Sequence, residues 1–324
     1  MKRRDFMLAT ALTGAIPGLL QAASERKHIS TTGFGPLVPD QRRILDLPAG
    51  FHYRVITVQG QEMNDGYIVP GWPDGMHAFK IDDSRVAILC NHELATSQMV
   101  LSAWRGQAAE SQSVLKNAYD VDNKGRIAPG GVRRIIYNLH KQQVEEQHLA
   151  LCGTLRNCSG GMTPWSSWIS CEESVVRKGQ QGLSHSHGYC FEVPAQGHGL
   201  QAALPLTAMG RFNHEAVAID PDSGAVYLTE DRADGLFYRF LPAVRGQLSA
   251  GGKLQALAIT SLPQRTSTGN RGAAEFPLQT PQMVKWVTMS GVDAPADDLR
   301  HRGRRQGAVQ FVRGEGMVVE QDKH

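Results

Sequence analysis

One sequence unit recurs along the chain and limits the possible fold more than any other feature. A short apolar run ends in two acidic residues, a turn follows, and a Gly-led aromatic run closes on proline. Two copies occupy residues 168–194 and 226–242, and a weaker third copy occupies residues 87–139. Recurring antiparallel units of this kind are typical of propeller blades or solenoids. The repeat therefore predicts that strands dominate the fold.

Short runs rich in β-branched and aromatic residues, bounded by turn residues, support that prediction. They occupy residues 85–90, 132–137, 168–171 and 225–229. The turn sequence at 221–224, Pro-Asp-Ser-Gly, predicts a hairpin. Helical periodicity is scarce, and residues 102–116 are the best helix candidate. We predict an all-β fold, a β-propeller with short helical insertions, although a β-sandwich also fits the pattern.

The N-terminus predicts export from the cytoplasm. Arg3-Arg4, with Phe6 two residues on, precedes an uncharged stretch over 8–20, which is the layout of a twin-arginine signal. That stretch is too short for a membrane span, which needs about 20 residues. An ordinary secretory signal is the alternative. We expect a signal peptide over 1–23, one domain over 24–324, and a periplasmic or secreted protein carried by the twin-arginine export machinery.

Charge and cysteine content narrow the class of protein. The net charge of +3 is small for 324 residues, and the one dense basic cluster is predicted to be a solvated loop, at Arg300, Arg302, Arg304 and Arg305. A nucleic-acid partner is therefore not expected. The five cysteines are an odd number, so at least one is free or binds something. Because twin-arginine export carries folded, often cofactor-loaded proteins, the unpaired cysteine is a candidate metal ligand.

Four clusters that contain acidic residues end or border predicted strands, at Asn91-His92-Glu93, Glu172-Glu173, His214-Glu215 and Glu230-Asp231. Two adjacent carboxylates raise each other's pKa. A calcium ion removes that penalty because it accepts about six to eight oxygen ligands. Each pair alone could instead be a solvated turn, but the recurrence at one structural position favours a cation site.

Residues 157–165 form the segment densest in chemically informative residues. Cys158 precedes Gly160-Gly161, a pair that permits close approach of another backbone. A thiolate here could bind iron, zinc or copper, and a buried structural thiol is the alternative. His185 and His187 are either ligands or part of an exposed loop. The sequence contains no CxxC, HExxH, P-loop or GxSxG motif.

Several of these segments together resemble the PhoX family of secreted phosphatases. They are residues 47–51, 73–76, 91–93, 158–173, 187–189, 210–216, 229–231 and 238–240. The resemblance implies a β-propeller whose central channel holds a mixed iron–calcium cluster and hydrolyses phosphate monoesters. Small phosphate esters are the implied substrates.

The resemblance also implies roles for individual residues. Cys158 corresponds to the thiolate ligand of ferric iron, and Arg313 to the residue that holds the phosphate. The implied cluster carboxylates are Glu173, Glu215 and Glu315, and the pair Glu230-Asp231 supplies a calcium ligand. Glu93 and Glu172 are weaker candidates for the same shell.

One departure from the family concerns the C-terminus. Family members continue well past the Arg-x-Glu segment at 313–315, so we expect an incomplete propeller here. Two alternatives follow. The chain could be a non-catalytic or inactive propeller that binds calcium, or it could keep the propeller and act as a phosphodiesterase or lactonase-type hydrolase.

Overall fold

A computed structural model of the chain describes residues 33–263, 266–270 and 276–320. Contacts divide the chain into one unit that ends at Val55 and a second that begins at Ile56. The first unit contains one short antiparallel pair, β1 (Leu37–Val38) with β2 (Leu47–Pro48). The predicted signal peptide over 1–23 lies outside the described residues. Within those residues no helix has the length and apolar character needed to cross a membrane.

The second unit is built from three antiparallel sheets in which the strands follow one another in chain order. The first sheet contains β3 (Pro73–Lys80), β4 (Arg85–His92), β5 (Gly130–Asn138) and β6 (Gln143–Thr154). The second contains β7 (Asn157–Met162), β8 (Ser167–Glu172) and β9 (Cys190–Pro194). The third contains β10 (His214–Ile219), β11 (Val226–Glu230), β12 (Phe237–Pro242), β13 (Gly252–Ile259) and β14 (Val284–Thr288). The all-β prediction is confirmed.

The sequence repeat corresponds to one structural position in each of these three sheets. Its two clear copies are β8 with β9 and β11 with β12, and its weaker copy is β4 with β5, so each copy supplies the second and third strands of a sheet. The predicted hairpin at 221–224 joins β10 to β11, where Ile219 pairs with Val226. The predicted strand runs all lie in strands of these sheets.

Two local predictions are wrong. The helix expected over 102–116 is only α1 (Gln112–Asn117), preceded by a 3-10 segment at Thr96–Leu101. It starts late because Ser111 caps it, its side chain accepting a hydrogen bond from the amide of Val114. The basic cluster expected as a solvated loop is the helix α2 (Leu299–Arg305). Arg300 is buried there and pairs with Asp234 and Asp297, so its charge is used within the fold.

The first strands of the three sheets lie side by side, β3 against β7 and β7 against β10. Glycine makes these approaches possible. A Cβ at Gly161 in β7 would lie 1.9 Å from the carbonyl oxygen of Val217 in β10, and one at Gly75 in β3 would lie 2.7 Å from Ser159 Cα. Apolar side chains of the second and third sheets fill the largest core cluster, which includes Ile169 and Phe240. Because the first strands are adjacent, the acidic ends of the second strands approach one another.

Candidate functional site

The acidic clusters supply four pairs of neighbouring residues, called doublets here: His92-Glu93, Glu172-Glu173, His214-Glu215 and Glu230-Asp231. The two side chains of a doublet lie in different environments, because neighbouring residues of an extended chain point to opposite sides. The second residue of each doublet faces one common group of polar side chains, in the order Glu93, Glu173, Glu215 and Asp231. The first residue is buried elsewhere, in the order His92, Glu172, His214 and Glu230. Strand alternation therefore sends one member of every doublet to the candidate site.

Cys158 and the carboxylates form two overlapping groups of possible metal ligands. Glu93, Cys158 and Glu173 form one, and Glu173, Glu215 and Asp231 form the other; within each, one ligand atom per residue lies within 4.8 Å of the others. The Cys158 sulfur also lies 3.2 Å and 3.4 Å from the two carboxylate oxygens of Glu215. Glu173 belongs to both groups and connects them into a single candidate metal centre.

Several acidic groups of the site have raised pKa values. Burial, with a contribution from neighbouring carboxylates, raises the pKa of Glu215 to about 7. Burial also raises the pKa of Glu173, and burial with the nearby Glu93 carboxylate raises the pKa of Asp74. The Cys158 thiol has a raised pKa because it is buried beside Glu215. Such a site favours cations, since a bound cation stabilises every one of these groups in its charged form.

Arg156 is a site residue that sequence reasoning missed. Its guanidinium lies 2.7 Å from Glu93 Oε1 and also contacts the Glu173 carboxylate. Its backbone carbonyl accepts a hydrogen bond from the amide of Glu173 at 2.9 Å. The only sequence signal for it is its position just before Asn157-Cys158. Arg156 holds two carboxylates of the site in fixed orientations.

The segment 313–315 lies at the margin of the site. Arg313 Nε is 2.9 Å from Asp231 Oδ1, and the Arg313 side chain is 59% exposed. Thr229 donates a hydrogen bond to the carbonyl oxygen of Glu315 at 2.9 Å. The Glu315 side chain is 64% exposed, and its charge contributes to the raised pKa of Glu215. The structure thus brings an accessible guanidinium next to the acidic group.

Glu230 is the predicted ligand that the structure does not bring to this group. Its side chain enters the core of the third sheet, where Oε2 accepts hydrogen bonds from the Leu236 amide and the Tyr238 hydroxyl, each at 3.0 Å. Burial raises its pKa to about 7. Among the described residues, Oε1 has no hydrogen-bond partner. Of the pair predicted to supply a calcium ligand, Asp231 therefore faces this group and Glu230 does not.

His187 and Glu172 belong to a buried network next to the site. His187 Nδ1 lies 2.6 Å from Glu172 Oε1, and its Nε2 lies 3.1 Å from Asp120 Oδ2. Glu172 also accepts hydrogen bonds from the amides of Leu155 and Gly188, at 2.8 Å and 2.7 Å. These contacts occupy both ring nitrogens of His187, so the network anchors the end of β8, which carries Glu173 next in sequence.

The donor set fits a mixed cluster of a transition metal and calcium. A thiolate is a soft ligand that suits iron, zinc or copper, whereas carboxylate oxygens suit calcium. The acidic members are Asp74, Glu93, Cys158, Glu173, Glu215, Asp231 and Glu315, and their cationic neighbours in the described structure are Arg156 and Arg313. Acidic groups outnumber cationic ones, which leaves charge for metal ions to balance.

Comparison with known proteins shows which family the chain belongs to. The family described as alkaline phosphatase PhoX matches residues 32–324. The chain belongs to this family. A solved structure, Pseudomonas fluorescens PhoX in complex with vanadate, a transition state analogue, is similar with a TM-score of 0.51 and 16% sequence identity. The match covers 81% of this chain and 59% of the Pseudomonas fluorescens chain. It shows that the two proteins share a fold. No curated protein matches the chain.

The segments that carry the PhoX resemblance in the sequence also build the candidate site. Residues 158–173 run through β7 and β8 and supply Cys158 and Glu173, and residues 210–216 lead into β10 and supply Glu215. The motif at 73–76 contributes Asp74 through β3. Family membership and local geometry therefore point to the same place in the molecule.

Proposed function

We propose that this PhoX-family chain hydrolyses phosphate monoesters at an iron–calcium centre. One observation carries the proposal: Glu173 is shared by a group that contains a thiol and a group made of carboxylates. A thiolate and a carboxylate array side by side suit two different kinds of cation. The family match supports the reaction, because the matched family is described as an alkaline phosphatase.

The proposal assigns each residue a role. Cys158 is the iron ligand, and Glu173, Glu215 and Glu315 are cluster carboxylates. Asp231 is the calcium ligand of its doublet, with Glu93 completing the thiol-containing group. When bound, the metal ions would supply positive charge to the phosphate oxygens and a polarised oxygen nucleophile.

Arg313 is proposed to bind the phosphate. Its guanidinium presents two parallel N–H donors, which match a phosphate better than the point charge of lysine does. The contact with Asp231 at 2.9 Å orients it, and its exposure leaves donors available to a substrate. Phosphoryl transfer depends mainly on positioning and electrostatic stabilisation, so such a residue acts directly on the transition state.

Two wider proposals accompany this function. The three sheets are proposed to be propeller blades, which their meander order and the adjacency of β3, β7 and β10 support. The protein is proposed to be periplasmic or secreted through the twin-arginine machinery, which the pair Arg3-Arg4 supports. A folded, metal-loaded chain is the kind of cargo that this route carries.

The test uses the full chain. Iron and calcium are quantified by mass spectrometry, and turnover is measured with a chromogenic phosphate monoester, a phosphodiester and a lactone. We expect both metals and a preference for the monoester. Arg313→Gln should lower kcat/KM by about 100-fold or more, whereas Arg239→Gln, a control whose guanidinium stacks on Trp286 in the third sheet, should not. Absence of iron together with no turnover would refute the proposal, and calcium-dependent stability without turnover would favour the non-catalytic alternative.

A further inference from the structure

A second group of metal-ligand side chains lies outside the site described above. Cys171 in β8 and Cys190 in β9 are directly paired across the second sheet, and His214 begins β10. All three are fully buried. The two sulfurs are 3.7 Å apart, and Cys190 Sγ lies 3.3 Å from His214 Nδ1.

We propose that Cys171, Cys190 and His214 bind a zinc ion. With zinc–sulfur bonds of about 2.3 Å, sulfurs 3.7 Å apart subtend an angle of about 107° at the metal. A zinc–nitrogen bond of about 2.05 Å gives about 98° for the pair that is 3.3 Å apart. Both angles fit tetrahedral coordination. A disulfide, in contrast, requires sulfurs about 2.05 Å apart.

The orientation of His214 supports ligation through Nδ1. Its Nε2 lies 3.0 Å from the carbonyl oxygen of Gly210, which can only accept a hydrogen bond, so Nε2 carries the proton. In the neutral imidazole Nδ1 then keeps its lone pair, and the Cys190 sulfur lies 3.3 Å from that nitrogen. Phe212 stacks on the imidazole with ring centroids 3.6 Å apart and holds the ring in place. Metal-binding histidines commonly donate their second N–H to a carbonyl in this way.

Charge and burial agree with a divalent ion. Two thiolates and a neutral imidazole balance Zn²⁺, so the complex is neutral and can lie among the apolar residues of the core cluster. Binding releases two thiol protons to solvent. Among the described residues no further cysteine, histidine or acidic side chain joins this group, so these three side chains supply three of the four zinc ligands. Such a buried ion must enter as the chain folds.

The position of the zinc site suggests a structural role. Cys171 lies two residues before Glu173, and His214 is the neighbour of Glu215. An ion held by β8, β9 and β10 would fix the strands that carry two carboxylates of the candidate centre. The zinc site does not depend on the proposed phosphatase activity, since its ligands point into the core.

The test measures zinc and its ligands in the full chain expressed with added zinc. The Cys158→Ala variant is used for X-ray absorption, so that the thiol of the other centre cannot contribute. We expect about one zinc per chain, with two sulfur ligands at about 2.3 Å. Cys190→Ser should lose this zinc, and Cys152→Ala, which removes a buried thiol of the first sheet, should retain it.

Three results would overturn the zinc proposal. They are a chain with no zinc and free thiols, a Cys171–Cys190 disulfide detected by mass spectrometry of the intact protein, and zinc bound without sulfur ligands. If Cys190→Ser does not fold, the absorption spectrum of Cys158→Ala still decides the ligand set. Failure of the phosphatase assay would leave each of these readouts unchanged, so the two proposals are tested separately.

Discussion

Cys158 is the side chain that gives the candidate centre its mixed character. It is the one thiol beside Glu93, Glu173 and Glu215, and it is partly buried there. Oxygen ligands alone would favour calcium or magnesium, whereas a thiolate adds affinity for a transition metal. The residue type at this one position therefore decides which metals the site can hold.

Replacing this thiol tests the assignment of iron. In Cys158→Ala we expect iron content to fall by more than about tenfold, because the soft ligand is lost while the carboxylates remain. Metal analysis of the purified chain measures the change. Cys152→Ala is the matched control, since Cys152 is buried in β6 outside the candidate groups. Unchanged iron in Cys158→Ala would exclude this residue as the ligand.

His187 predicts a dependence of stability on pH. Burial alone would lower its pKa, but the carboxylates of Glu172 and Asp120 outweigh burial and raise the pKa to about 9. The stabilisation is fully present below the pKa of an unfolded histidine, about 6.5, and is lost as pH rises through about 9. Denaturant titrations should show the free energy of unfolding falling between pH 7 and 10 by on the order of 2 kcal/mol. In His187→Gln that fall should largely disappear, and an identical pH profile would contradict the assignment.

At the scale of elements, β7 is the strand on which the site depends. Gly161 lets it approach β10, and the side-chain amide of Asn91 donates hydrogen bonds to the carbonyls of Cys158 and Ser159, at 3.0 Å and 2.8 Å. The Asn91 oxygen accepts hydrogen bonds from Trp168 and Ser170, both at 2.9 Å. One buried side chain thus joins the first sheet to both strands of the hairpin that carries Cys158.

Adding a single methyl group at Gly161 tests the close approach of β7 and β10. The new Cβ would lie 1.9 Å from the Val217 carbonyl oxygen, so the two backbones must separate. We expect Gly161→Ala to lower the free energy of unfolding by about 1–3 kcal/mol and to reduce metal content, because Cys158 moves away from Glu215. Gly33→Ala is the control, since nothing lies within 4 Å of a Cβ there. Equal melting temperatures for the two variants would argue against the account.

The sequence predicted the elements well because their signals are local. Short runs rich in β-branched and aromatic residues located β4, β5, β8 and β11, and Pro221 and Gly224 located the hairpin between β10 and β11. The helix candidate was wrong because its pattern did not account for the cap at Ser111. The split of Glu230 and Asp231 could have been expected, since neighbouring side chains of an extended chain point to opposite sides. The contacts of Arg156 depend on tertiary packing, which no local pattern encodes.

At the scale of the whole molecule, consecutive meander sheets bring the ends of distant strands together. Glu93, Glu173 and Asp231 each follow the second strand of a different sheet, and Glu173 lies within reach of both of the others. A repeated unit therefore supplies equivalent acidic positions, and the adjacency of β3, β7 and β10 converts them into one candidate centre. The repeat is visible in the sequence, whereas the sharing of Glu173 between two groups emerges only from the packing.

The most direct test of this account is metal content in a pair of matched variants. Glu173→Gln removes the carboxylate shared by the two groups, and Glu230→Gln removes one that is buried in the core of the third sheet. If Glu173 joins the thiol and the carboxylate array into one centre, Glu173→Gln should lose both iron and calcium, together with phosphate monoester turnover. Glu230→Gln should retain both metals. Iron and calcium unchanged in Glu173→Gln would contradict the central claim.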